Sequence, residues 1–132
     1  MNTGISIDRV KEIHDEELIK FGGLAGIYED KLEGALARID QHIYYNAVED
    51  VFTIAALYLV AIAKAHAFSD GNKRTALVVS LTYLQLQGIR LPRDCGLDDF
   101  MVEVAASQDD PDELTELVAD CLYKLAEKHN QL

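Results

Sequence analysis

The chain has 132 residues, 49% of them hydrophobic and 27% charged, and its formal net charge is −11. This length and balance predict one globular domain, residues 1–132, with a sizeable core, and they exclude an intrinsically disordered protein. The acidic excess argues against general nucleic-acid binding, which needs a basic surface to displace counterions. No apolar run reaches the roughly 18 residues of a membrane-spanning helix, so we expect no membrane contact.

Two further features favour a cytoplasmic location. Residues Met1 to Asp8 lack the basic-then-apolar order of a signal peptide. Cys95 and Cys121 stand far apart and form no CxxC pair. Such isolated cysteines suit a reducing compartment, where we expect them to be buried or incidental thiols.

Helical periodicity and only two prolines predict an all-α fold, a six-helix bundle. Gly22 and Gly23 end the first helix, and a short loop or hairpin follows over Leu24 to Asp30. The predicted helices span Ile7–Phe21, Lys31–Tyr45, Val48–His66, Asn72–Gln87, Leu97–Ala106, and a last helix that begins at Asp110–Glu113 with a capping box.

Apolar stripes on these helices predict the core, and the third helix is apolar nearly all round, as expected at the centre of a bundle. The stripe of the first helix consists of Val10, Ile13, Leu18 and Phe21. The stripe of the last helix consists of Leu114, Leu117, Val118, Cys121, Leu122 and Leu125. Four more residues are predicted to be core rather than ligand contacts: Tyr44, Phe52, Tyr58 and Met101.

The most informative segment is HAFSDGNKR, residues 66–74, which joins the third and fourth helices. It predicts a central helix–turn–helix with its polar chemistry at the joint. Lys73 and Arg74 fall in the first turn of the fourth helix, where each cation opposes the helix dipole at a cost of about 0.3–1 kcal/mol. Free backbone N–H groups at the same end favour an anion. A bound phosphate would make these charges favourable.

Each residue after the turn has a role if phosphate binds there. Gly71 allows the backbone to approach a ligand closely, and Asn72 can donate through its side-chain amide. Lys73 supplies a point charge, and Arg74 supplies a planar fork for two oxygens. Asp70 is a hard oxygen ligand suited to Mg²⁺ beside the same phosphates.

The residues before the turn complete the pattern. His66 can accept a proton from a substrate hydroxyl, because imidazole titrates near neutral pH. Phe68 is predicted to turn inward and anchor the loop. Together these residues predict transfer of a phosphoryl or nucleotidyl group from a magnesium nucleotide to a hydroxyl. The residues alone do not decide between the two.

Other site types find less support in the sequence. There is no Walker A motif and no Gly-rich loop of the protein-kinase type. A metal phosphohydrolase would need a histidine upstream of His14-Asp15, and His14 is the first in the chain. We therefore expect His14 to be partly exposed or capping, and His42 and His129 to have no special role. No cage of His and Cys ligands is visible.

The motif resembles the HxFx[D/N][A/G]NKR signature of Doc toxins in the Fic/Doc family. Flanking segments are also similar: His14-Asp15, residues 21–26 (FGGLAG) and residues 58–61 (YLVA). The helix order fits nearly end to end. The resemblance implies the Fic/Doc fold and a toxin of a bacterial or phage toxin–antitoxin pair.

Fic relatives transfer AMP from ATP to a target hydroxyl and carry HxFx[D/E]GNGRxxR. This chain departs from that pattern at Lys73 and Leu77, as the Doc branch does. In that branch the nucleotide lies reversed, so the resemblance implies phosphorylation of a threonine of elongation factor Tu and arrest of translation. One alternative is an AMP transferase of the Fic type. A second alternative is an inactive regulatory partner that binds a nucleotide.

Carried over by position, the resemblance implies His66 as general base, Asp70 as Mg²⁺ ligand and residues 71–74 as the cradle for ATP. Residues 22–30 resemble the flap that aligns the target segment. The flap residues expected to matter are Gly22, Gly23, Gly26 and Ile27.

A separate antitoxin is also implied. Self-restrained Fic proteins carry [S/T]xxxE[G/N], whereas Glu33-Gly34 here has Glu29 where Ser or Thr is needed. The resemblance implies that a disordered antitoxin segment folds into a groove near the active site. The stretch Asp94 to Tyr123 carries ten acidic residues and no Lys or Arg. It is predicted to be a solvated face, or a docking surface for a basic segment.

Overall fold

The computed structural model describes residues 4–132, and these form six helices. Their bounds are α1 Ile7–Phe21, α2 Glu29–Tyr45, α3 Val51–Ala65, α4 Asn72–Leu86, α5 Leu97–Ala106 and α6 Pro111–Lys128. Over the described part of the chain, β pairing is limited to one isolated antiparallel bridge between Ile27 and Phe68. The prediction of an all-α, six-helix fold is confirmed. Across residues 4–132, no helix is long and apolar enough to cross a membrane.

Side-chain caps explain where three helices begin. The Ser6 hydroxyl accepts a hydrogen bond from the Arg9 N–H at the start of α1. Asp50 caps α3, and Asp110 caps α6 directly before Pro111. Gly71 precedes α4 and provides no such cap. The helix that begins at the motif therefore shares with α2 and α5 a start without a side-chain cap, and its first amides are left for another partner.

The predicted bounds are correct for α1 and α5, and so is the predicted start of α6 at the Asp110 cap and Pro111; the bounds of α2, α3 and α4 shift. α2 begins at Glu29, two residues before the prediction, because Glu29 and Asp30 favour the positive end of a helix. α3 begins at Val51 rather than Val48, since the Asp50 cap sets its start. α3 ends at Ala65 and α4 at Leu86, each one residue before its predicted end.

α3 lies at the centre of the bundle and packs against α2, α4, α5 and α6. Phe52 and Tyr58 are buried on it, as predicted, and so is Met101 on α5. The Ser80 hydroxyl of α4 is fully buried and donates to the Ala55 carbonyl of α3 at 2.8 Å. The two helices that flank the motif are thus the most firmly packed pair, which gives the turn a rigid base.

Three predicted core residues lie on the surface instead. Phe21 is 59% exposed at the last position of α1, Tyr44 is 80% exposed, and Leu117 is 59% exposed. Tyr44 packs edge-on against Tyr45 at the outer end of α2. In α6 the buried face is rotated from the predicted stripe, so Leu117 points away from it. The buried residues of α6 are Leu114, Thr115, Val118, Leu122 and Ala126.

The Asp50 cap gives a stability test. Its Oδ2 accepts from the Thr53 N–H at 3.0 Å and from the Thr53 hydroxyl at 2.8 Å. Asp50→Ala should lower the free energy of unfolding by about 1 kcal/mol, as loss of an N-cap does. Urea denaturation measures the change, with Glu49→Ala as the control for loss of an exposed negative charge. Equal stability of the two variants would contradict the role of the cap.

Candidate active site

The motif turn, residues 66–71, leaves α3 through a residue in an uncommon backbone conformation. His66 is the C-cap of α3, with φ 51° and ψ 42°, in the left-handed region that non-glycine residues seldom adopt. Its side chain is exposed. Backbone strain of this kind is concentrated at functional sites, where surrounding structure holds it in place. The turn therefore presents the imidazole to solvent at the end of a buried helix.

Phe68 anchors the turn, as predicted, with only 3% of its surface exposed. The Asn72 amide holds the same residue from α4. Its Oδ1 accepts from the Phe68 N–H at 3.1 Å, and its Nδ2 donates to the Phe68 carbonyl at 2.8 Å. The prediction that Asn72 donates to phosphate through its amide does not match this arrangement. Its side chain is committed to the backbone of the turn, so its contribution to a cradle is its backbone N–H.

His14 reaches the turn from α1, and the prediction that it is partly exposed or capping is wrong. It is 3% exposed, and its ring stacks on Phe68 with centroids 3.8 Å apart and planes 12° from parallel. Its Nε2 lies 2.8 Å from the Asp70 carbonyl oxygen. The ring is buried because it lies on the inner face of α1 and its polar atom finds a partner there. The sequence carried a signal for this, since His14 follows Val10 by four residues on the same helical face.

The N-terminus of α4 is open to an anion. Gly71 adopts φ 77° and ψ 17°, and the first turn of α4 contains no acidic residue. The N–H groups of Asn72, Lys73 and Arg74 are the first three of the helix, for which no intrahelical carbonyl exists. The Lys73 side chain is exposed beside them. These amides and one free ammonium group form a site of positive potential suited to phosphate oxygens.

Asp70 lies at the solvent-exposed end of the turn and connects it to the segment after α1. Its Oδ2 accepts from the Leu24 N–H at 3.2 Å, and its Oδ1 accepts from the Gly71 N–H at 2.9 Å. These two hydrogen bonds, and then the charges of Arg74 and Lys73, lower the pKa of the Asp70 carboxyl below its usual range. The group is therefore ionised at neutral pH. An exposed carboxylate with free lone pairs is a ligand that Mg²⁺ accepts when phosphates and water supply the rest.

Arg74 is turned toward the loop after α1 rather than standing free. Its Nη2 donates to the Gly22 carbonyl at 3.1 Å, and its guanidinium lies 5.5 Å from the centre of the Phe21 ring. Its buried Nε has no hydrogen-bond partner within the described residues. In this arrangement, one nitrogen of the guanidinium group is bound to the loop after α1. A phosphate would have to compete with the Gly22 carbonyl for it.

The flap, residues 22–28, lies across the motif turn. The Tyr28 N–H donates to the Ala67 carbonyl at 2.6 Å, and the Ser69 N–H donates to the Gly26 carbonyl at 3.0 Å. With the Ile27–Phe68 bridge, these bonds make one short antiparallel pairing between flap and turn. The predicted loop or hairpin is thus a loop that pairs with the motif instead of with itself. Ile27 remains 40% exposed on it.

Two flap glycines are required by space as well as by backbone conformation. Gly26 has φ 149°, and a Cβ there would overlap the Ser69 hydroxyl. Gly23 has φ 128°, and a Cβ there would come within 2.9 Å of Asp70 Oδ2 and 3.0 Å of a Leu18 methyl group. Gly22 has φ 77° but open space around it. Close approach of flap and turn therefore depends on Gly23 and Gly26.

A groove of about 540 Å³ lies beside the motif, between α2, α3 and the start of α6. It reaches Ala65, the residue before His66, and Lys64 spans it by donating to the carbonyls of Ala105 and Ser107. Its lining includes Ile39, His42, Leu57, Val60, Ala61 and Pro111. The resemblance implied a groove near the active site, but the sequence did not show which residues line it, because its walls come from helices far apart in the chain. Within residues 4–132, no three His, Cys, Asp or Glu side chains form a metal-binding group.

Comparison with known proteins agrees with this architecture. The model of the Fic/DOC family matches residues 4–84, which include the flap, the motif turn and nearly all of α4. Protein kinase doc of Escherichia phage P1 is 33% identical over 105 residues, covering 79% of this chain and 83% of that protein. Toxin Doc of Mycolicibacterium smegmatis is 36% identical over 101 residues, covering 73% of this chain and 78% of that protein.

The chain therefore belongs to the Fic/DOC family, in agreement with the motif and the all-α fold. Within that family it is a Doc-type member, similar to both of these proteins over most of its length.

The flap glycines give a test of the pairing. Gly22→Ala should cost about 1–3 kcal/mol from its backbone conformation alone. Gly26→Ala has a similar cost and also forces the flap away from Ser69. We expect the Ser69 amide, which donates to the Gly26 carbonyl, to exchange with solvent faster in Gly26→Ala than in Gly22→Ala. NMR-detected hydrogen exchange measures this, and equal rates would show that contact at Gly26 does not hold the flap.

Proposed function

We propose that this protein is the toxin of a toxin–antitoxin pair and transfers the γ-phosphoryl group of ATP to a Ser or Thr hydroxyl of a bacterial protein. One observation carries the proposal: a strained, exposed His66 lies at the end of α3, and residues 67–71 lead from it to the N-terminus of α4, which has no side-chain cap. A base for the hydroxyl and a cradle for phosphate are thus held by the two best-packed helices of the bundle. The names of the two Doc relatives agree with it.

In the proposed reaction, the hydroxyl oxygen of the target attacks the γ-phosphorus as the bond to the β–γ bridging oxygen breaks. His66 accepts the hydroxyl proton, and ADP leaves with the electron pair of the broken bond. Charge on the transferred group is stabilised by the backbone N–H groups that open α4 and by the Lys73 ammonium. Arg74 adds its fork once it turns from the Gly22 carbonyl.

Mg²⁺ fits the residues present, because Asp70 is ionised, exposed and directly before the phosphate-facing amides. We propose that Asp70 holds the ion with the nucleotide phosphates. The ion would neutralise phosphate charge. Asp70 also keeps the flap in place through the Leu24 N–H, so binding the ion and ordering the flap would use the same side chain.

One residue of α4, Leu77, favours phosphoryl transfer over AMP transfer. The position where AMP-transferring Fic proteins have a second arginine is Leu77 here, and its side chain is fully buried. The face of α4 one turn beyond Lys73 therefore offers no second cation to clamp outer phosphates. AMP transfer is the alternative within the same site. Binding of a nucleotide without any transfer is a further alternative.

The target is proposed to be a threonine of elongation factor Tu, as the resemblance to Doc toxins implies. The exposed side chains of Ile27 and Tyr28 lie on the flap and would contact the target segment. Net charge −11 suits a basic target segment. Modification of that factor would arrest translation in the cytoplasm.

We propose that the antitoxin segment binds the groove beside α3. The groove is largely apolar, and it runs up to Ala65 next to the catalytic turn. Acidic Asp109 and Asp112 line it near the start of α6, and Arg38 lines it on α2. A short amphipathic helix with a basic residue on one edge would match these walls.

Labelled ATP tests the reaction. We expect label from the γ position of ATP to appear on a single protein band of a bacterial lysate, and none from the α position. His66→Ala should lower the initial rate by about 10²–10⁴-fold, as loss of a general base does. Circular dichroism confirms that this variant is folded, which is expected because the side chain is exposed. Label from the α position alone would replace the kinase proposal with AMP transfer.

Blocking the groove tests the antitoxin site. Ala61 lines the groove on α3, so Ala61→Arg should weaken binding of the cognate antitoxin by about tenfold or more, by filling the apolar space. Ala37→Arg is the matched control, because Ala37 is exposed on α2 and outside the groove. Calorimetric titration gives both affinities. Equal weakening in the two variants would place the antitoxin elsewhere.

A further inference from the structure

We infer that His14 is a positioning residue for the phosphate-binding turn, acting through the Asp70–Gly71 peptide from a different helix. The inference rests on the proposed function for its kinetic consequence, but its structural consequence is independent of that function. His14 lies 52 positions before His66 and belongs to none of the groups that would touch ATP or the target. It is nevertheless the one side chain of α1 with a hydrogen bond to the motif turn in the described structure.

The direction of the bond fixes the chemistry of the ring. The partner of Nε2 is the Asp70 carbonyl oxygen, which can only accept, so Nε2 carries a proton and donates at 2.8 Å. Nδ1 lies on the other side, 3.8 Å from the exposed carboxylate of Asp15. At 3.8 Å this contact is too long for a hydrogen bond. The bond at Nε2 is therefore the polar contact that matters.

Position explains why this bond reaches the site. The Asp70 carbonyl is half of the peptide whose other half is the Gly71 N–H, and Gly71 is the N-cap of α4. Fixing that peptide plane sets the direction in which the chain enters α4. It also sets the orientation of Asp70, whose Oδ1 accepts from the Gly71 N–H. A Cβ at Gly71 would lie 3.6 Å from His14 Nε2, so the ring packs directly beneath the glycine.

Two separable properties of His14 hold the turn. The ring face stacks on Phe68, and the ring edge donates to Asp70. Phenylalanine keeps the first property and loses the second. Glutamine loses the stacking but places an amide N–H near the position of Nε2. A buried histidine that only fills space would be replaced best by phenylalanine, whereas a positioning histidine would be replaced best by glutamine.

The experiment compares His14→Phe, His14→Gln and Ile13→Val with the parent. Ile13 is buried beside His14 on α1 and its side chain has no hydrogen-bonding group, so Ile13→Val controls for a general loss of stability. Hydrogen exchange at the Gly71 amide is measured in the nucleotide-free protein. Steady-state rates are then measured with ATP and the unphosphorylated form of the protein that becomes labelled, and thermal unfolding gives the fold stability of each variant.

We expect the Gly71 amide to exchange about tenfold faster in His14→Phe than in the parent, and to be restored to within about threefold by His14→Gln. In the kinetic assay kcat should fall by about 10–100-fold in His14→Phe, with little change in KM for the target, because displacement of the turn misplaces the reacting groups. Ile13→Val should change neither quantity beyond its effect on unfolding.

Parental exchange in His14→Phe, or glutamine as damaging as phenylalanine, would overturn the inference. If the parent transferred no phosphate at all, the proposed function would fail, and the exchange rates alone would still decide the role of His14. If His14→Phe did not fold, His14→Gln would carry the test, since a parental exchange rate and kcat in that variant require the donor and not the ring.

Discussion

The structure depends on a turn whose shape is imposed from outside. Residues 66–71 join two buried helices, but they belong to neither helix, so other parts of the chain must hold their backbone in place. The Asn72 amide holds Phe68 from α4, His14 holds Asp70 from α1, and the flap pairs with Ala67 and Ser69. Each contact comes from a different element, so the turn is held in one conformation although His66 is strained. Such support lets an exposed imidazole keep a fixed direction.

The charges of the motif show the same priority of function over stability. α4 begins without a side-chain cap and has Lys73 and Arg74 in its first turn, although each opposes the helix dipole. By contrast, α1, α3 and α6 begin with side chains that are preferred N-caps: Ser6, Asp50 and Asp110. Local violations of this kind, in an otherwise consistent sequence, are expected at functional sites. A helix end that repels cations when empty is a suitable receptor for an anion.

Much of this architecture could be predicted from the sequence, because helical periodicity and caps are local properties. The bounds of α1 and α5 and the start of α6 followed from them, whereas the inward turn of Phe68 followed from its place two residues after His66. The spacing of His14 from Val10 signalled its burial, but its contact with Asp70 could not be predicted, because the two residues lie 56 positions apart. The side chain of Asn72 was predicted to bind phosphate, because residue type alone cannot show that its amide forms hydrogen bonds with the backbone of Phe68. Tyr44 and Leu117 were placed in the core because a stripe defines a helical face only to within one residue.

The contact between Arg74 and Gly22 links two events at the site. The guanidinium cannot serve the Gly22 carbonyl and a phosphate equally well, so under the proposed function a nucleotide that attracts it would remove one contact of the flap. Thermodynamic linkage is reciprocal: whatever factor the nucleotide imposes on affinity for a flap-bound segment, that segment imposes on affinity for the nucleotide. Under the proposed function, the competition of the Gly22 carbonyl and a phosphate for Arg74 would therefore couple binding of the nucleotide to binding of the target segment.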